Sequence, residues 1–406
     1  MVSTGTFRLP SRIHFGYGVR AHVPELLRQH GDRALIVVDP FLKSSPLVEE
    51  LVAACHNAGI TTELFSDISP DVPVAALEAG AKVARTFQPD AILAVGGGSA
   101  MDAAKVIALL ATYDEPVATF YGENAVPGAV LPLVALPTTA GTGSEVTPVA
   151  VVLDPDRDLK IGISSPFLIP TAAVVDPEMT IGAPASTTAY AGIDALVHVV
   201  ESYTAREFDL DWTGMLPVFT GRNVLSELLA TAAAERLVMW LPRAVADGSD
   251  RDARENVALG SLLAGISFGS TGTHLSHALQ YPIGALTHTP HGLGTGLLLP
   301  FVLDVLREDA HVERRIASLA NALDVAAPSA PEAVDGMLRR LLTLNAQVGV
   351  PRSLAELKIS REELPRIAEL GARSTRLVAI APVRADSSLL LEVLNRAYEG
   401  RVNISD

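Results

Sequence analysis

Residues 91–105 read AILAVGGGSAMDAAK, and this stretch decides the class of fold. It begins with apolar residues that suit a strand buried on both faces, turns at the glycines Gly96 to Gly98, and continues as a helix-forming segment. A strand, a glycine turn and a helix in that order predict one unit of a parallel α/β layer. Glycines at such a turn let backbone N–H groups at the helix N-terminus approach a pyrophosphate.

The same alternation extends to both sides of this stretch. Apolar runs that end in turn residues occur at 34–39, 131–139, 146–154 and 172–176. All of them are apolar on both faces, which predicts buried strands of one parallel layer. After Pro184 the apolar residues recur with helical spacing and almost no strand signal remains. We therefore predict an α/β, Rossmann-like domain at residues 1–183 and an all-α domain at 184–406, with a cleft between them for a small molecule.

The composition excludes several classes of function. Hydrophobic residues make up 49% and charged residues 19% of the 406, which is typical of a globular protein. A net charge of −15, with no basic run to offset it, repels nucleic acid and anionic lipid. Every apolar run is shorter than the roughly 20 residues that span a bilayer, so we expect no membrane segment. A single cysteine, Cys55, permits no internal disulfide and no thiolate zinc site. The single cysteine, together with the lack of a visible secretory signal in residues 1–16, predicts a cytoplasmic protein.

The glycine turn is a candidate dinucleotide site, with Ser99 and Asp102 in the early turns of the helix that follows. The strict G-x-G-x-x-G pattern fails because Met101 occupies the last glycine position. A tight strand-to-helix turn, which needs glycine for backbone reasons alone, is therefore the alternative.

Asp39 ends the first clear strand and is a candidate for the adenosine ribose. A carboxylate there accepts hydrogen bonds from both ribose hydroxyls and repels a 2′-phosphate, which favours NAD over NADP. Because Asp39 precedes the glycine turn instead of following it, the strand order must differ from the familiar one. The alternative is an aspartate that caps a turn before Pro40. Residues 137–145, PTTAGTGSE, offer hydroxyls and amides for phosphate or nicotinamide, with a plain loop as the alternative.

The helical half contains candidate metal ligands. Asp194 and His198 are four residues apart in a helical segment, and this spacing places both side chains on one face. The alternative is a solvated pair, but the flanking residues are apolar, so a charged aspartate there needs a partner. Four later histidines compete for the remaining positions, and spacing does not choose among them: His274, His277, His288 and His291. One aspartate and three histidines suit Fe(II) or Zn(II) with positions left open, and such an ion acts as a Lewis acid on an alcohol oxygen.

Four motifs together carry a family resemblance: GGGSAMDAAK (96–105), LPTTAGTGSEVTPVAVV (136–152), GIDALVHVVESY (192–203) and HALQYPIGALTHTPHG (277–292). With them the chain resembles the iron-dependent (group III) alcohol dehydrogenases over nearly its full length. The resemblance implies the dehydroquinate synthase-like architecture, in which an N-terminal α/β domain carries NAD(P) and a C-terminal helical domain carries the metal and the substrate. It also implies a homodimer or a higher homo-oligomer.

The resemblance assigns roles to individual residues. Its metal ligands fall on Asp194, His198, His277 and His291, and His274 and His288 become second choices. The implied cofactor contacts, in addition to Ser99 and Asp102 above, are Asp39, Gly97, Gly98, Thr138, Thr139, Thr142, Ser144 and Lys160.

One departure concerns the proton route. Many members carry a histidine four residues after the third metal ligand, and here that residue is Tyr281. A tyrosine hydroxyl both donates and accepts a hydrogen bond, but its pKa near 10 makes it a poorer proton shuttle than imidazole. A second departure is the segment 207–225, which is longer than in members that act on short alcohols. It is interpreted either as a loop over the active-site mouth or as a plain connection.

The sequence therefore predicts an NAD-dependent, divalent-metal alcohol dehydrogenase that interconverts a primary or functionalised alcohol and its carbonyl compound. Two alternatives stay open. The stretch around Tyr281 is similar to the branch that includes hydroxyacid-oxoacid transhydrogenases. A metal-free maleylacetate-type reductase is the other, and the retained Asp194 argues against it.

Overall fold

The computed structural model describes residues 5–69, 72–155 and 159–404, except for the side chain of Leu159. Its internal contacts divide the chain into two compact units. Among the described residues, one unit is Phe7–Gly182, and the other is 183–404 together with residues 5–6.

The first unit contains the strands of the described residues. They are β1 (Arg12–Phe15), β2 (Arg33–Val38), β3 (Thr61–Phe65), β4 (Ala91–Gly96), β5 (Gly122–Glu123), β6 (Leu133–Pro137), β7 (Val149–Asp154), β8 (Leu159–Ser164) and β9 (Ala172–Val175). Six of them form one sheet in the order β1-β9-β6-β4-β2-β3, and every pair in it is parallel. This confirms the parallel α/β class. The glycine-bearing β4 lies beside β2, which precedes it in the chain.

Helices cover the sheet because its strands are apolar on both faces. They are α1 (Val23–Arg28), α2 (Pro46–Asn57), α3 (Val74–Phe87) and α4 (Gly98–Thr112). Alternate residues of one strand enter two separate cores: Ile92 packs with residues of α3 and α4, and Leu93 with residues of α1 and α2. Both residues are fully buried, as expected for a central strand.

The expectation for residues 146–154 was partly wrong. A strand forms there, but β7 is not a member of the parallel sheet: it pairs antiparallel with β8 in a second sheet of order β5-β8-β7. Its residues alternate between half-buried and buried, so only one face enters the core. A run of valines cannot reveal this difference, because both faces carry apolar residues.

The second unit is helical, as predicted, and residues 183–404 contain no strand. Its helices are α5 (Ala185–Thr204), α6 (Val224–Ala246), α7 (Arg251–Thr271), α8 (Leu275–Thr287), α9 (His291–Leu306), α10 (Ala310–Ala320), α11 (Ala330–Gln347), α12 (Leu364–Ala372), α13 (Thr375–Ile380) and α14 (Ser387–Glu399). Among the described residues, no helix combines the length and the apolar character needed to span a bilayer.

Candidate functional site

Helix α5 presents three ionisable side chains in the interior of the helical unit. Asp194, His198 and Glu201 follow one another at intervals of four and three residues, so they share one face. Asp194 is 3%, His198 4% and Glu201 0% exposed. Charged groups at such depth require partners of opposite charge or a bound ion.

Two later helices bring further histidines to this face. Nε2 of His277, on α8, lies 3.9 Å from Oδ1 of Asp194, and Nε2 of His291, on α9, lies 3.8 Å from the same oxygen. Candidate ligand atoms of these three residues all lie within 4.8 Å of one another. Nε2 of His198 is 3.8 Å from Oδ2 of Asp194, and its ring stacks on that of His277 with centroids 4.9 Å apart. We call these four residues the Asp–His cluster.

A glycine allows α9 to approach α5 closely enough to place His291 in the cluster. A Cβ added at Gly292 would lie 2.0 Å from the carbonyl oxygen of Tyr190 and 2.9 Å from Cβ of Asp194. Any larger residue at this position would therefore push the two helices apart. The histidine next to it is the first residue of α9 and remains partly exposed, unlike the other members of the cluster.

An unpaired buried nitrogen in the cluster indicates that these residues fit a divalent cation. Nε2 of His277 is buried and has no hydrogen-bond partner within the described residues. Leaving such an atom unpaired costs about 1–3 kcal/mol, and a cation that accepts its lone pair removes that cost. Burial would raise the pKa of Asp194, but the neighbouring histidines lower it, so the carboxylate is ionised as a metal ligand must be.

A second layer of residues orients the cluster. Glu201 accepts hydrogen bonds from Nδ1 of His277 at 2.7 Å and from the backbone N–H groups of His274 and Ser276. Burial would raise the pKa of Glu201, but these donors and the nearby histidines hold it well below its usual range. An ionised carboxylate only accepts, so Nδ1 of His277 carries the proton and Nε2 presents its lone pair to the cluster. The hydroxyl of Thr295 donates to Oδ1 of Asp194 at 2.8 Å.

The two second-choice histidines lie outside the cluster. Nδ1 of His274 accepts from the backbone N–H of Leu275 at 2.8 Å, and its Nε2 pairs with the Thr204 hydroxyl at 2.9 Å. Both nitrogens are thus used within the protein. His288 ends α8 in the left-handed conformation, with φ of 55°.

Tyr281 lies one helical turn after His277 on α8 and is half-buried. Its ring centroid is 6.1 Å from that of His291. The residue that departs from the family pattern is therefore next to the Asp–His cluster.

In the first unit, candidate cofactor residues follow β2, β4 and β6, which are neighbours in the parallel sheet. Helix α4 begins directly after Gly97, and no side chain of the described residues caps its N-terminus. Gly97, Gly98 and Ser99 are half-exposed there. A Cβ at Gly97 would lie 3.3 Å from the Thr139 hydroxyl, and one at Gly98 would lie 2.7 Å from Cγ2 of Thr142. The glycine turn and the residue 138–142 loop are thus in close contact, and open N–H groups at a helix start suit a pyrophosphate.

Asp39 lies beside this turn. Its backbone N–H donates to the carbonyl of Val95 at 3.0 Å, and a Cβ at Gly96 would be 3.0 Å from Cβ of Asp39. Oδ1 of Asp39 accepts from the backbone N–H of Phe41 at 3.0 Å, which is the turn cap considered as the alternative. Capping uses this one oxygen of the carboxylate.

Other candidate cofactor residues have partners within the unit. Oδ1 of Asp102 accepts from the Ser144 hydroxyl at 2.7 Å, and Oδ2 from the backbone N–H of Val151 at 2.9 Å. Thr138 is buried and its backbone N–H bonds the carbonyl of Gly96. Lys160 lies on β8 opposite Leu153. Asp102 and Ser144 thus connect α4 to the loop before β7.

A parallel-sheet unit with an open helix start and a helical unit with a buried Asp–His cluster are the two features expected of a metal-dependent oxidoreductase that uses a nucleotide cofactor. Residues 10–177 match the family model "Iron-containing alcohol dehydrogenase", and residues 188–398 match "Fe-containing alcohol dehydrogenase family, C-terminal". The chain belongs to the iron-containing alcohol dehydrogenase family, which confirms the resemblance carried by the four motifs.

Named relatives are similar to this chain over nearly its whole length. It is 32% identical over 408 residues to long-chain-alcohol dehydrogenase 1 of Geobacillus thermodenitrificans, which covers 99% of this chain and 98% of that protein. It is 32% identical over 369 residues to the NAD-dependent methanol dehydrogenase of Bacillus methanolicus, covering 89% and 92%. The solved structure of a 1,3-propanediol oxidoreductase superposes with a TM-score of 0.90 at 28% identity, covering 97% of this chain and 100% of that one. The protein is thus an oxidoreductase that acts on CH–OH donors, and its family implies NAD and an iron-type metal.

Proposed function

We propose that this protein is an NAD-dependent alcohol dehydrogenase whose divalent metal is held by Asp194, His198, His277 and His291. The observation that carries the proposal is the buried Asp–His cluster, in which Nε2 of His277 lacks any hydrogen-bond partner among the described residues. One carboxylate and three imidazoles, without thiolate, suit Fe(II) or Zn(II), and the family favours Fe(II). A metal-free reductase would have no use for a carboxylate buried among histidines.

The proposed cofactor is NAD, with NADP disfavoured. Oδ2 of Asp39 would accept a ribose hydroxyl and repel a 2′-phosphate. The open N-terminus of α4 at Gly97 and Gly98 would bind the pyrophosphate, and Ser99, Thr139 and Thr142 would supply hydroxyls nearby. We propose that Thr138 contacts the cofactor through its backbone and that Lys160 contacts it through its side chain. Asp102 and Ser144 would act by holding the loop in place.

When bound, the metal supplies Lewis acidity at the alcohol oxygen and the nicotinamide accepts the hydride. The chain's own residues hold the reactants and manage the proton. Glu201 keeps the proton of His277 on Nδ1, which leaves Nε2 free to bind. Tyr281 would donate or accept a hydrogen bond beside His291, in place of the imidazole proton shuttle of many family members.

The proposed substrates are primary alcohols and the corresponding aldehydes. The long-chain-alcohol and methanol dehydrogenases and the propanediol oxidoreductase are named for alcohols of this class. Assembly into a homodimer or higher homo-oligomer and a cytoplasmic location remain predictions from the sequence and the resemblance.

NADH formation with a panel of primary alcohols tests the proposal. It should be measured on the full-length protein before chelation, after chelation, and after Fe(II) or Zn(II) is added back. We expect activity to be lost on chelation and restored by metal in the wild type, and to be absent from Asp194→Ala and His277→Ala. Activity that survives chelation and both substitutions would refute the metal centre. Turnover between a hydroxyacid and an oxoacid without free NAD would identify a transhydrogenase.

A further inference from the structure

A cavity of about 570 Å³ lies at the C-terminal end of α5. Thr204, the last residue of α5, lines it, and so do residues of α10 and of the segment 378–385. None of the four cluster residues lines it, and Thr204 follows His198, the nearest of them on α5, by six residues, which is about 9 Å along the helix axis at 1.5 Å per residue. The cavity is therefore separate from the Asp–His cluster, and no role in the proposed function accounts for it.

The cavity has walls fixed by backbone hydrogen bonds. The chain after α5 folds back on itself through a bridge between Glu207 and Gly221. The backbone N–H of Arg206 donates to the carbonyl of Ile380 at 3.0 Å, and that of Arg222 donates to the carbonyl of Arg206 at 3.1 Å. Two residues of the segment 207–225, for which the sequence allows either a loop over the active-site mouth or a plain connection, thus lie in one wall: Glu207 and Arg222. These contacts give the cavity a defined shape.

The lining is basic, although the chain as a whole carries a net charge of −15. His311 lines the cavity, and Glu207 is the one carboxylate among its described lining residues. Four arginines also line it: Arg206, Arg222, Arg315 and Arg384. Such a concentration of guanidinium groups in a concave surface makes the local potential positive.

Two of the arginines are compensated by carboxylates. Nη1 of Arg222 lies 2.9 Å from Glu207 and 2.7 Å from Glu227, and Nη2 of Arg315 lies 2.7 Å from Glu227. The exposed Arg206 and Arg384 have no carboxylate within ion-pair distance in the part of the chain that the structure describes. The guanidinium of Arg206 instead lies 5.4 Å from the ring centroid of Phe208. Two positive charges at this cavity are therefore available to a ligand.

We propose that this cavity binds a small molecule through a carboxylate or phosphate group, which Arg206 and Arg384 contact. Guanidinium groups match the planar geometry of such oxyanions and form charge-assisted hydrogen bonds with them. The volume lies within the usual range for small-molecule sites. This inference goes beyond the proposed function and does not depend on it.

Titration calorimetry of the metal-loaded, full-length protein at constant ionic strength tests the inference, with inorganic phosphate and succinate as separate probes. The double variant R206Q/R384Q removes both uncompensated charges and keeps the ion pairs of Arg222 and Arg315. R366Q is the matched control, because Arg366 is an exposed arginine of α12 outside the cavity. We expect wild type and R366Q to bind equally, and the double variant to bind roughly 10-fold more weakly or worse.

The two probes distinguish the sources of the oxyanion. Tighter phosphate binding that the double variant loses indicates a phosphate ester, and tighter succinate binding indicates a carboxylate. Phosphate that binds at the glycine turn of the other unit would still bind to R206Q/R384Q. Equal binding by the wild type and the double variant would therefore place the probe outside this cavity and overturn the proposal. No binding of either probe to the wild type also overturns it. The unfolding temperature of each variant, and the single variants R206Q and R384Q, control for loss of folding.

Discussion

Nδ1 of His277 donates a hydrogen bond to the Glu201 carboxylate at 2.7 Å, and Glu201 is completely buried. The partners come from α8 and α5, 76 residues apart in the chain. This pair fixes which nitrogen of His277 is unprotonated, and that nitrogen is the buried Nε2 in the Asp–His cluster. A carboxylate behind a histidine ligand both orients the ring and makes it a stronger donor to metal.

Substituting Glu201→Gln should lower the metal affinity of the protein by roughly 10- to 100-fold. The NH₂ group of the glutamine would face at least one of the N–H groups from which Glu201 now accepts a hydrogen bond. The tautomer of His277 would therefore no longer be fixed. Equilibrium dialysis with Zn(II) or Co(II), in competition with a chelator, measures the change. The Co(II) absorption spectrum reports the geometry of the site independently of activity.

Glu235→Gln is the matched control for this prediction, because Glu235 is an exposed glutamate of α6 and the substitution makes the same change in charge. It should leave metal affinity unchanged. A folded E201Q protein with the metal affinity and Co(II) spectrum of the wild type would contradict the positioning role of Glu201.

Thr295→Val should also weaken metal binding, by roughly 10-fold. Valine has nearly the shape of threonine but cannot donate to Oδ1 of Asp194, so the carboxylate loses a hydrogen bond of 2.8 Å that orients it. Thr295→Ser keeps the hydroxyl and should retain most of the affinity. The same competition assay compares the two variants. A loss in T295S as large as that in T295V would contradict a specific role of the hydroxyl, because serine keeps that group.

Gly98→Ala should weaken NADH binding by roughly 10-fold and destabilise the protein by about 1–3 kcal/mol. The added Cβ would lie 2.7 Å from Cγ2 of Thr142, and the Thr142 hydroxyl accepts from the backbone N–H of Ser144. The loop would therefore have to shift away from the start of α4. Fluorescence titration with NADH and urea unfolding measure the two effects. Gly182→Ala is the control, because the added Cβ would have no described atom within 4 Å beyond its own chain neighbours. Wild-type NADH affinity in G98A would rule out this role of the turn.

The parallel sheet could be predicted because its strands and glycine turn are local patterns. The strand at 91–96 is apolar at every position, and a glycine turn follows it directly. The separate pairing of β7 could not be predicted, since valines on both faces hide the fact that one face is only half-buried.

Residue spacing alone predicts the cluster only in part, and the choice of His277 and His291 comes from the family resemblance. Asp194 and His198 share a face by spacing alone, but four histidines compete for the other positions. The structure separates them through tertiary contacts: both nitrogens of His274 are used by Leu275 and Thr204. Glu201 was missed, although its position seven residues after Asp194 places it on the same helix face. Its function depends on N–H groups more than 70 residues away, which spacing does not reveal.

A buried group of charges formed by Lys105, Asp102 and Glu145 makes stability depend on pH. Nζ of Lys105 donates to the carbonyls of Thr147 and Val149 at 2.9 and 2.8 Å. Burial lowers the pKa of Lys105 to about 8, against the opposing effect of Asp102 and Glu145. Burial also raises the pKa of Glu145 to about 7, despite the nearby lysine.

Glu145→Gln should alter the pH dependence of the unfolding free energy between about pH 4.5 and 7. In that interval the folded wild type keeps the Glu145 proton and the unfolded chain loses it, so this group makes stability fall by up to about 1.4 kcal/mol per pH unit. Glutamine does not titrate, so the stability of E145Q relative to wild type should rise across the interval and level off above pH 7. Lys105 acts in the opposite sense and above pH 8, because its folded pKa is depressed. Urea unfolding of both proteins at a series of pH values gives this difference in stability. The titration of the Asp–His cluster cancels from it, because both proteins share that cluster. A difference that stays constant from pH 4.5 to 7 would mean that Glu145 is ionised in the folded protein throughout.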